Sequence, residues 1–488
     1  MRGIVGAAAY IPYRRLDRAE ISSFLGSGGG RGTRAVAGHD EDTTTMGAEA
    51  ARLALRAVDG AALTAVWFTT TDPAYLDKSN ATAIHRALRL PHSAPAYDFG
   101  GALRSGVGAL QASLGARGTV LVVSADRRDG LPMSSDEVAG GDAAAALLVG
   151  DGRDDVPLLA EHVGGASSTD EFVDRWRIPG ERQDRLWEDR FGETRYLELG
   201  MDAWTRACEN AGIAAADVSR VIVSGMHGRA VTALTKKLGL SEGVLANDWA
   251  ADVGQSGCAH PGMLLASVLE EEAAAIRPGE GVPQRRVIVL LHLADGADAL
   301  VFRTTPALAT WSPTRSVAHQ VATGAPISYG KFLTWRGMLK LEPPRRPEPS
   351  RVSSTAAWRN DDWKFGFVGT KDRSSGAVHL PPARVSMRGG AFDDMEHFPL
   401  ADSIGTIVTF TVDRMAYSPS PPIVFAVVDF DRGGRFPVEL TDVDADTIAI
   451  GDQVEMTFRR LFTADGIADY FWKARPLRNN PTAMEHGR

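Results

Sequence analysis

Thiols that could carry a covalent intermediate are scarce in this chain. Its 488 residues include two cysteines, Cys208 and Cys258, which excludes a disulfide framework and a four-thiolate metal site. Cys208 lies within a predicted helix. Cys258 begins an Ala/Gly-rich helical stretch, where a lone cysteine is more often a packing residue than a nucleophile. Chemistry in this protein is therefore expected to rely on other side chains.

Two histidines stand at the ends of predicted elements. His227 closes residues 224–227, Ser-Gly-Met-His, and His260 lies in residues 257–261, Gly-Cys-Ala-His-Pro. Neutral imidazole accepts a proton near physiological pH, so either residue is a candidate general base. The alternative interpretation is that His227 is a polar neighbour of its motif and that His260 is a loop or helix-capping residue.

A third candidate segment is residues 98–107, Asp-Phe-Gly-Gly-Ala-Leu-Arg-Ser-Gly-Val. It follows an apolar, turn-bounded run and opens a predicted helix, Gly106–Leu114, so it predicts a strand-to-helix elbow that presents Leu103. A leucine cannot form a thioester. Ser105, two residues after Leu103, offers a hydroxyl that could act as a nucleophile in its place. A serine in the first turn of a helix, however, usually forms hydrogen bonds with the backbone. Arg104 is a candidate ligand for a phosphate group.

Composition limits the partners that the protein can have. Apolar residues make up 44% of the chain, enough for sizeable cores. The 53 basic and 61 acidic residues leave a net charge of -8, which gives no electrostatic footprint for nucleic acid and no polybasic patch for an anionic membrane. No apolar run approaches the roughly 20 residues of a membrane helix. The N-terminus is typical of a first strand and not of a signal peptide, so a cytoplasmic protein is expected.

Residues 1–305 alternate β-branched segments with Ala/Leu-rich segments, a pattern typical of a layered α/β domain. An internal repeat of helix, strand and helix, offset by about 150 residues, further favours a duplicated fold. The predicted strands are Ala65–Thr70, Thr119–Ser124, Ala144–Val149, Arg220–Ser224, Val287–His292 and Ala299–Arg303, and the predicted helices are Met46–Ala57, Gly106–Leu114, Leu197–Ala211 and Met263–Ala275.

The pattern changes after Thr304. Residues 306–328 are predicted to be loop-like, Tyr329–Leu341 a short aromatic helix and Pro343–Pro349 a linker. Four closely spaced strands then predict a small β-barrel: Ile404–Asp413, Ile423–Asp429, Phe436–Leu440 and Val454–Leu461.

Several motifs in the first 305 residues, in this order and spacing, resemble the ketoacyl-ACP synthase III and HMG-CoA synthase branch of the thiolase superfamily. The resemblance implies an α/β fold, a duplicated thiolase-fold domain with layered αβαβα architecture. The matching segments are Met1–Pro12, residues 37–46 around Asp40-Glu41-Asp42, residues 100–106 around Leu103, residues 140–145, residues 254–257 and residues 295–298.

Residues 326–476 resemble the acyl-CoA-associated OB-fold family that partners thiolases, through Tyr329, Trp335-Arg336, Arg345-Arg346-Pro347 and residues 465–476. That family usually carries a zinc ribbon ahead of the barrel. Here its four ligand positions correspond to Asp372, Ser375, Ser386 and Gly389, a set that cannot supply a closed zinc tetrahedron, so no metal is expected. Acidic side chains between the barrel strands, opposed only by Arg432 and Arg435, argue against nucleic acid.

The two resemblances divide the chain into five predicted parts. They are the thiolase-like halves 1–165 and 166–305, a linker with the aromatic helix at 306–350, a degenerate zinc-ribbon-like segment at 351–390, and an OB-fold domain at 391–488.

The resemblance also assigns the positions at which the family places its cysteine, histidine and asparagine. They are occupied here by Leu103, Ser224 and Gln255, and the glutamate of HMG-CoA synthases by Thr70. The arginine of the histidine motif is retained as Arg229, a candidate for cofactor binding. The implied substrate is the thioester of CoA or of an acyl-carrier phosphopantetheine, with no tightly bound cofactor, and a homodimer is expected.

Two functional hypotheses follow. In the first, the protein forms or cleaves a bond beside an acyl thioester (aldol, Claisen or acyl-transfer chemistry) without a cysteine acyl-enzyme, in polyketide, lipid or other secondary metabolism. His227 or His260 is then the base, and backbone N–H groups near Leu103 and Ser105 polarise the carbonyl. In the second, it is an inactive ketosynthase-like partner of an active enzyme. A standard HMG-CoA synthase or ketoacyl synthase would require the cysteine to lie elsewhere than at position 103.

Overall fold

The computed structural model describes residues 1–58, 62–276, 285–345, 347–390 and 392–478. Arg346 of the Arg-Arg-Pro motif lies outside them. The chain forms two compact units. The first comprises Met1–Ala37, Ala50–Ala81 and His92–Tyr329, and the second comprises Gly38–Glu49, Thr82–Pro91 and the chain from Gly330 onward. Two short segments, 38–49 and 82–91, thus group with the C-terminal unit, whereas the sequence places them in the first predicted domain.

The strands are numbered in chain order. They are β1 (Arg2–Tyr10), β2 (Arg14–Asp17), β3 (Thr33–Val36), β4 (Leu63–Thr69), β5 (Ala96–Asp98), β6 (Thr119–Asp126), β7 (Ala143–Asp151), β8 (Ala160–Ser168), β9 (Arg175–Trp176), β10 (Arg185–Leu186), β11 (Arg220–Gly225), β12 (Val287–Leu293), β13 (Ala297–Thr304), β14 (Ala325–Pro326), β15 (Val368–Asp372), β16 (Val378–His379), β17 (Met395–Pro399), β18 (Ile404–Asp413), β19 (Ile423–Phe430), β20 (Arg435–Leu440), β21 (Gln453–Ala464) and β22 (Ile467–Pro476).

The α-helices are numbered in the same way. They are α1 (Ala19–Leu25), α2 (Thr43–Arg56), α3 (Ala81–Ala87), α4 (Ser105–Leu114), α5 (Ser135–Ala139), α6 (Asp189–Ala211), α7 (Gly228–Leu238), α8 (His260–Ala275), α9 (Val317–Ala322), α10 (Tyr329–Trp335), α11 (Ser354–Arg359) and α12 (Asp361–Gly366). Among the residues that the structure describes, no helix combines the length and the apolar character needed to cross a bilayer.

The first unit is organised around a nine-stranded sheet in the order β11-β12-β13-β8-β1-β7-β6-β4-β5. Strands of the two sequence halves mirror each other about the β1–β8 junction, which fits the predicted duplication. Strands β7 and β12 are buried along almost their whole length, which is why their sequences are continuous apolar runs and do not alternate. Helix α8 is buried on nearly every side and packs against α4, β1 and β7, so it forms part of an inner layer.

The second unit contains a closed five-stranded barrel in the order β18-β19-β20-β22-β21. Burial alternates along β18 and β19, as expected for strands with one face toward a core. The sequence predicts four of these strands. It misses β22, which follows β21 through a tight turn at Asp465 and Gly466, both with positive φ.

Two expectations for residues 306–341 are wrong. The segment predicted as loop contains α9, whose first turn is capped by the Ser316 hydroxyl accepting the N–H of His319. The predicted helix from Tyr329 ends at Trp335 and does not reach Leu341, because Gly337 adopts a left-handed φ of 70° that ends the helix.

The acidic residues between the barrel strands have more partners than the sequence suggests. Glu439 pairs with Lys473, Asp442 with Arg459 and Asp446 with Arg414. The interpretation that Arg432 and Arg435 alone oppose them is therefore wrong.

Candidate functional site

Leu103 lies in the elbow between β5 and α4, as predicted, and the elbow closes on its own hydrogen bonds. The N–H of Ser105 donates to the carbonyl of Ala102 at 3.0 Å, and the Ser105 hydroxyl accepts the N–H of Ala102 at 3.3 Å. The structure therefore supports neither a nucleophilic hydroxyl at Ser105 nor a free backbone N–H there to polarise a carbonyl. Ser105 follows the alternative interpretation, a serine that bonds the backbone.

Arg104 anchors the elbow to the closing turn of the sheet. Its Nε and Nη2 atoms lie 2.7 and 3.1 Å from the two carboxylate oxygens of Asp298, and its Nη1 donates to the carbonyl of Asp295 at 2.8 Å. Such a bidentate pair is geometrically specific. Because these donors are engaged within the fold, the structure does not support the predicted contact between Arg104 and a phosphate.

The Leu103 side chain faces a cavity of about 290 Å³. The apolar residues of its lining include Leu103, Met226, Leu293 and Ala294. Its remaining wall is polar and includes Thr71, Arg128, Asp174, Arg175, Arg177, Asp184, Tyr196, His227 and Asp295. A small apolar floor beside converging polar groups is typical of a ligand site.

His227 is the predicted base that reaches this cavity. It caps α7, since its Nδ1 accepts the N–H of Ala230 at 3.1 Å. Its Nε2 lies 2.9 Å from the carbonyl oxygen of Asp189 and 3.1 Å from that residue's Oδ1. These contacts assign the proton to Nε2. Asp174 Oδ1 lies 3.9 Å from the same nitrogen, so two carboxylates face the imidazole.

Burial changes the acid–base properties of the neighbours of His227. Burial raises the pKa of Asp174, against the opposing influence of His227, and raises the pKa of Asp295. The phenol of Tyr196 accepts the Asp295 N–H at 3.4 Å, and its ring lies 5.7 Å from that of His227. Burial also raises the pKa of Tyr196, so its hydroxyl stays protonated and can donate a hydrogen bond.

An arginine–aspartate network forms the far wall. Arg128 donates to the hydroxyl of Thr71 at 2.9 Å and pairs with Asp184. Arg175 pairs with Asp184 at 3.0 Å and with Asp136 at 2.6 Å. Burial opposes ionisation of Asp184, but the two arginines lower its pKa overall. Because each arginine is paired with an aspartate, this part of the cavity lining is polar but carries little net charge.

The other predicted catalytic residues lie outside the lining of this cavity. Ser224, Gln255 and His260 have buried polar atoms, Oγ, Oε1 and Nε2 respectively, for which the described residues supply no hydrogen-bond partner. Burial, reinforced by His292, lowers the pKa of His260 to about 3. The predicted cofactor ligand Arg229 is half exposed on α7 and pairs with Asp189 and Glu193, each at 3.1 Å.

Cys258 has the environment of a packing residue. It is fully buried, its N–H donates to Asp126 at 2.8 Å, and burial raises the pKa of its thiol well above the usual value. A Cβ at Gly106 would lie 2.2 Å from the Cys258 carbonyl oxygen, so the elbow helix packs directly on this backbone. A raised thiol pKa disfavours the nucleophilic thiolate. Cys208 is buried on α6.

Three of the four predicted ribbon positions, Asp372, Ser375 and Ser386, lie together around the Asp372 carboxylate. Asp372, at the end of β15, is buried and accepts hydrogen bonds from the Ser374 N–H and hydroxyl, both at 2.9 Å, and from Ser375. Hydrogen bonds from Ser375, Ser386 and Ser374 hold the pKa of Asp372 well below its usual range. Across the described ranges, no three His, Cys, Asp or Glu side chains converge as metal ligands do.

Sequence reasoning misses Asp174, Tyr196 and the Arg128 network. Asp174 and Tyr196 fall in residues 169–200, which carry no motif of the resemblance, and Arg128 follows a strand without a distinguishing neighbour. Asp295 could have been identified from the sequence, since it begins residues 295–298, one of the segments that carry the resemblance. His292 lies inside the apolar run of β12. The sequence marks it as a candidate only because it is the one ionisable side chain in that strand.

Comparisons with known proteins agree with both resemblances. Residues 399–459 match the family described as "ChsH2, C-terminal OB-fold domain". The hydroxymethylglutaryl-CoA synthase of Pyrococcus furiosus is 31% identical over 246 residues, which cover 49% of this chain and 70% of that protein.

Two solved structures share the fold of most of this chain. One is MvaS in complex with 3-hydroxy-3-methylglutaryl coenzyme A, with a TM-score of 0.55, 20% identity and coverage of 72% of this chain and 94% of that one. The other is the HMG synthase of the curacin biosynthetic pathway in complex with an acetyl donor-ACP, with a TM-score of 0.56, 16% identity and coverage of 68% and 88%. The thiolase fold and the OB-fold barrel expected from the sequence are thus confirmed.

Proposed function

Because this chain belongs to the hydroxymethylglutaryl-CoA synthase family of thiolase-fold proteins, we propose that it forms or cleaves a bond beside an acyl thioester without a cysteine acyl-enzyme. One observation carries the proposal. Leu103, at the position of the nucleophile, forms the floor of the cavity on which His227, Asp174 and Tyr196 converge. That cavity has acid–base groups and lacks a thiol in its lining.

His227 is the group that exchanges a proton with the substrate. Its Nε2 carries the proton that faces Asp189 and Asp174 at 3.1 and 3.9 Å, so a proton from the substrate is accepted at Nδ1, in exchange for the hydrogen bond from the Ala230 N–H. The protonated Tyr196 hydroxyl is a donor on the same wall. A base held in this way typically contributes 10²–10⁴-fold to a rate.

The substrate is a thioester of CoA or of an acyl carrier protein. The solved relatives supply the first compounds to test, since one holds 3-hydroxy-3-methylglutaryl coenzyme A and another an acetyl donor-ACP. The half-exposed Arg229 beside the cavity is the candidate contact for the carrier group. A homodimer is also proposed: β5 is an edge strand of the large sheet, and Tyr97 on it is 56% exposed.

Intact-mass spectrometry tests the absence of an acyl-enzyme. After incubation with acetyl-CoA, acetoacetyl-CoA or 3-hydroxy-3-methylglutaryl-CoA, the wild-type mass is expected to stay unchanged while the thioester is consumed. The Leu103→Cys variant is the matched control, because it restores a thiol to the elbow. An acyl adduct on Cys208 or Cys258 of the wild type would refute the proposal.

Substitution of His227 tests the assignment of the base. His227→Gln keeps a polar cap for α7 but cannot carry the proton, so turnover is expected to fall about 10²–10⁴-fold. Arg229→Gln serves as the neighbouring control and is expected to raise KM more than it lowers kcat. Unchanged turnover in His227→Gln would remove His227 from the mechanism.

The second candidate function is an inactive partner of an active ketosynthase. It is favoured by the joint replacement at Leu103, Ser224 and Gln255 of the three residues that the family uses. In that case the purified protein shows no turnover alone and changes the product of a co-purified ketosynthase. Consumption of an acyl thioester by the isolated protein would exclude this alternative.

A further inference from the structure

A buried histidine stands beside the position from which the family's histidine has been lost. Ser224, at that position on β11, pairs in register with His292 on the adjacent parallel strand β12. Residues paired in this way project their side chains to the same face of a sheet. An imidazole is therefore present one strand away from where the resemblance expects it.

His292 lies against the elbow. It is 2% exposed, and its ring faces the backbone of Leu103 and Ser224. Asp298 pairs with it in register on β13 and is held by the guanidinium of Arg104. Neither ring nitrogen of His292 has a hydrogen-bond partner of good geometry within the described residues.

His260 lies within electrostatic range of His292, and its contacts show which of its ring nitrogens carries the proton. Its Nδ1 lies 3.5 Å from the Ser256 backbone nitrogen and 3.3 Å from that residue's Oγ. A ring nitrogen that accepts from an N–H carries no proton, so the proton of His260 is on Nε2. That N–H is buried, and no described residue accepts it.

Unsatisfied polar atoms are concentrated in this small region. Within the described residues, the Oγ of Ser224, the Oε1 of Gln255, the Nε2 of His260 and both ring nitrogens of His292 lack hydrogen-bond partners of good geometry. A buried polar group without a hydrogen bond costs about 1–3 kcal/mol, and native proteins hold few of them. Such a cluster behind the elbow indicates a place where a polar group of a ligand is received.

We propose that His292, together with His260, replaces the lost histidine and asparagine by donating ring N–H hydrogen bonds to the carbonyl oxygen of the thioester bound over Leu103. The inference rests on the proposed function and adds to it the groups that hold the oxygen. As negative charge develops on that oxygen, preorganised donors stabilise it most where water is excluded.

Neutral imidazoles suit this role. Burial lowers the pKa of His292 to about 4 and that of His260 to about 3, so each ring carries a single proton at neutral pH. A neutral histidine that acts as a hydrogen-bond donor to a carbonyl is an established catalytic device. The acid–base work then stays with His227.

A thiolate introduced at position 103 tests whether His292 and His260 donate hydrogen bonds to an anion there, and this test does not require turnover. In Leu103→Cys, the sulfur anion takes the place of the oxyanion, and its pKa is read from the rate of alkylation by iodoacetamide across pH. Donors aimed at this position are expected to bring the thiol pKa about one unit below its usual value of about 8.5. In Leu103→Cys/His292→Phe the shift is expected to disappear, with alkylation at pH 7 slower by about tenfold.

The controls separate a donor from a packing residue. Leu103→Cys/His292→Gln retains an N–H donor and is expected to recover most of the shift, and His292→Met is the apolar alternative if phenylalanine does not fold. His162→Phe, at a half-buried histidine on β8, is expected to leave the thiol pKa unchanged. Wild-type protein, with both native thiols buried, supplies the background rate.

Two results would overturn the inference. One is a thiol pKa at or above about 8.5 in Leu103→Cys itself, whatever the behaviour of the double variants. The other is the same thiol pKa in folded Leu103→Cys with and without His292. A lowered thiol pKa in a protein that turns over no thioester would instead contradict the proposed function and leave the donor pair standing.

Discussion

At the scale of single residues, the hydrogen bonds that close the elbow do not involve the side chain at position 103. Ala102 and Ser105 close the turn through backbone and hydroxyl contacts, and Arg104 ties it to Asp298. Leucine therefore occupies the position at no structural cost to the turn. The turn presents the apolar Leu103 side chain to the cavity.

A second residue-scale feature is a carboxyl that resists ionisation. Glu270 on α8 is buried and accepts the N–H of Val317 at 2.8 Å, and burial raises its pKa from the usual 4.5 to about 8. Below pH 4.5 the carboxyl is protonated in the folded and unfolded states alike, and it carries no penalty. Between pH 4.5 and 8 the unfolded chain ionises first, so the stability of the wild type falls as pH rises.

Glu270→Gln is therefore expected to stabilise the protein at pH 8 and not at pH 4.5. The amide keeps an acceptor for Val317, and the gain at pH 8 is expected to be on the order of 2 kcal/mol. Thermal unfolding of both proteins at several pH values measures it. A difference in Tm that is independent of pH would show that Glu270 is not protonated in the fold.

At the scale of elements, the three-stranded sheet β16-β15-β17 carries a hydrogen-bonded carboxylate, Asp372, at a position where the resemblance implies a zinc ligand. Three serines donate to Asp372, and hydrogen bonds to a charged group contribute about 1.5–3 kcal/mol each. Asp372→Asn is expected to destabilise the second unit at neutral pH, because the neutral amide accepts weaker hydrogen bonds from the serines than the carboxylate does. Because the folded-state pKa is depressed, that difference shrinks as pH falls below about 4.

Equilibrium denaturation at pH 7 and pH 3.5 checks the Asp372 prediction. Asp394→Asn, at a half-exposed carboxylate of the same region, is the matched control and is expected to change stability by less than about 0.5 kcal/mol. Addition of a chelator is expected to leave the wild-type curve in place. A chelator-sensitive curve would mean that a metal, not the serine hydroxyls, holds the ribbon.

Elements with a clear period could be predicted from the sequence, and residues without a motif could not. The prediction of β18 at Ile404–Asp413 coincides with the observed strand, since turn residues bound an alternating pattern. Helix α9 is short, and its Ser316 cap was not recognised. His292 could not be identified from the sequence, because it lies in a buried strand whose other residues are all apolar. Its pairing with Ser224 on the neighbouring strand becomes visible only in the tertiary fold.

The candidate site was only partly predictable for the same reason. Leu103 and His227 lie on elbows that the resemblance marks, and both line the cavity. Asp174 and Tyr196 are brought to it by the excursion between β8 and α6, whose sequence carries no recognised pattern. Long-range placement of this kind depends on packing that periodicity does not encode.

At the scale of the whole molecule, the second unit is built from three separate stretches of chain, and buried charges connect them. Arg459 is fully buried and lies 2.9 Å from Glu41 and 2.7 Å from Asp442. Lys473 pairs with Asp40 at 3.0 Å. Three acids of segment 38–49, Asp40, Glu41 and Glu49, thus neutralise cations of β21 and β22, since Glu49 also pairs with Arg475 at 3.0 Å.

A fragment that begins at Gly330 should therefore fail to fold, although it contains the whole barrel. Without segment 38–49, Arg459, Lys473 and Arg475 each lose one buried ion pair and keep one other carboxylate, from Asp442, Glu439 and Glu455 respectively. Breaking one buried pair typically costs about 3–5 kcal/mol. We expect no cooperative unfolding transition for residues 330–478 by circular dichroism. The matched variant replaces Arg459, Lys473 and Arg475 by methionine and their remaining acidic partners by the neutral amides Asp442→Asn, Glu439→Gln and Glu455→Gln. It is expected to regain a transition, because no buried charge is then left without a partner. Cooperative unfolding of the unsubstituted fragment would show that the barrel does not depend on the acids of segment 38–49.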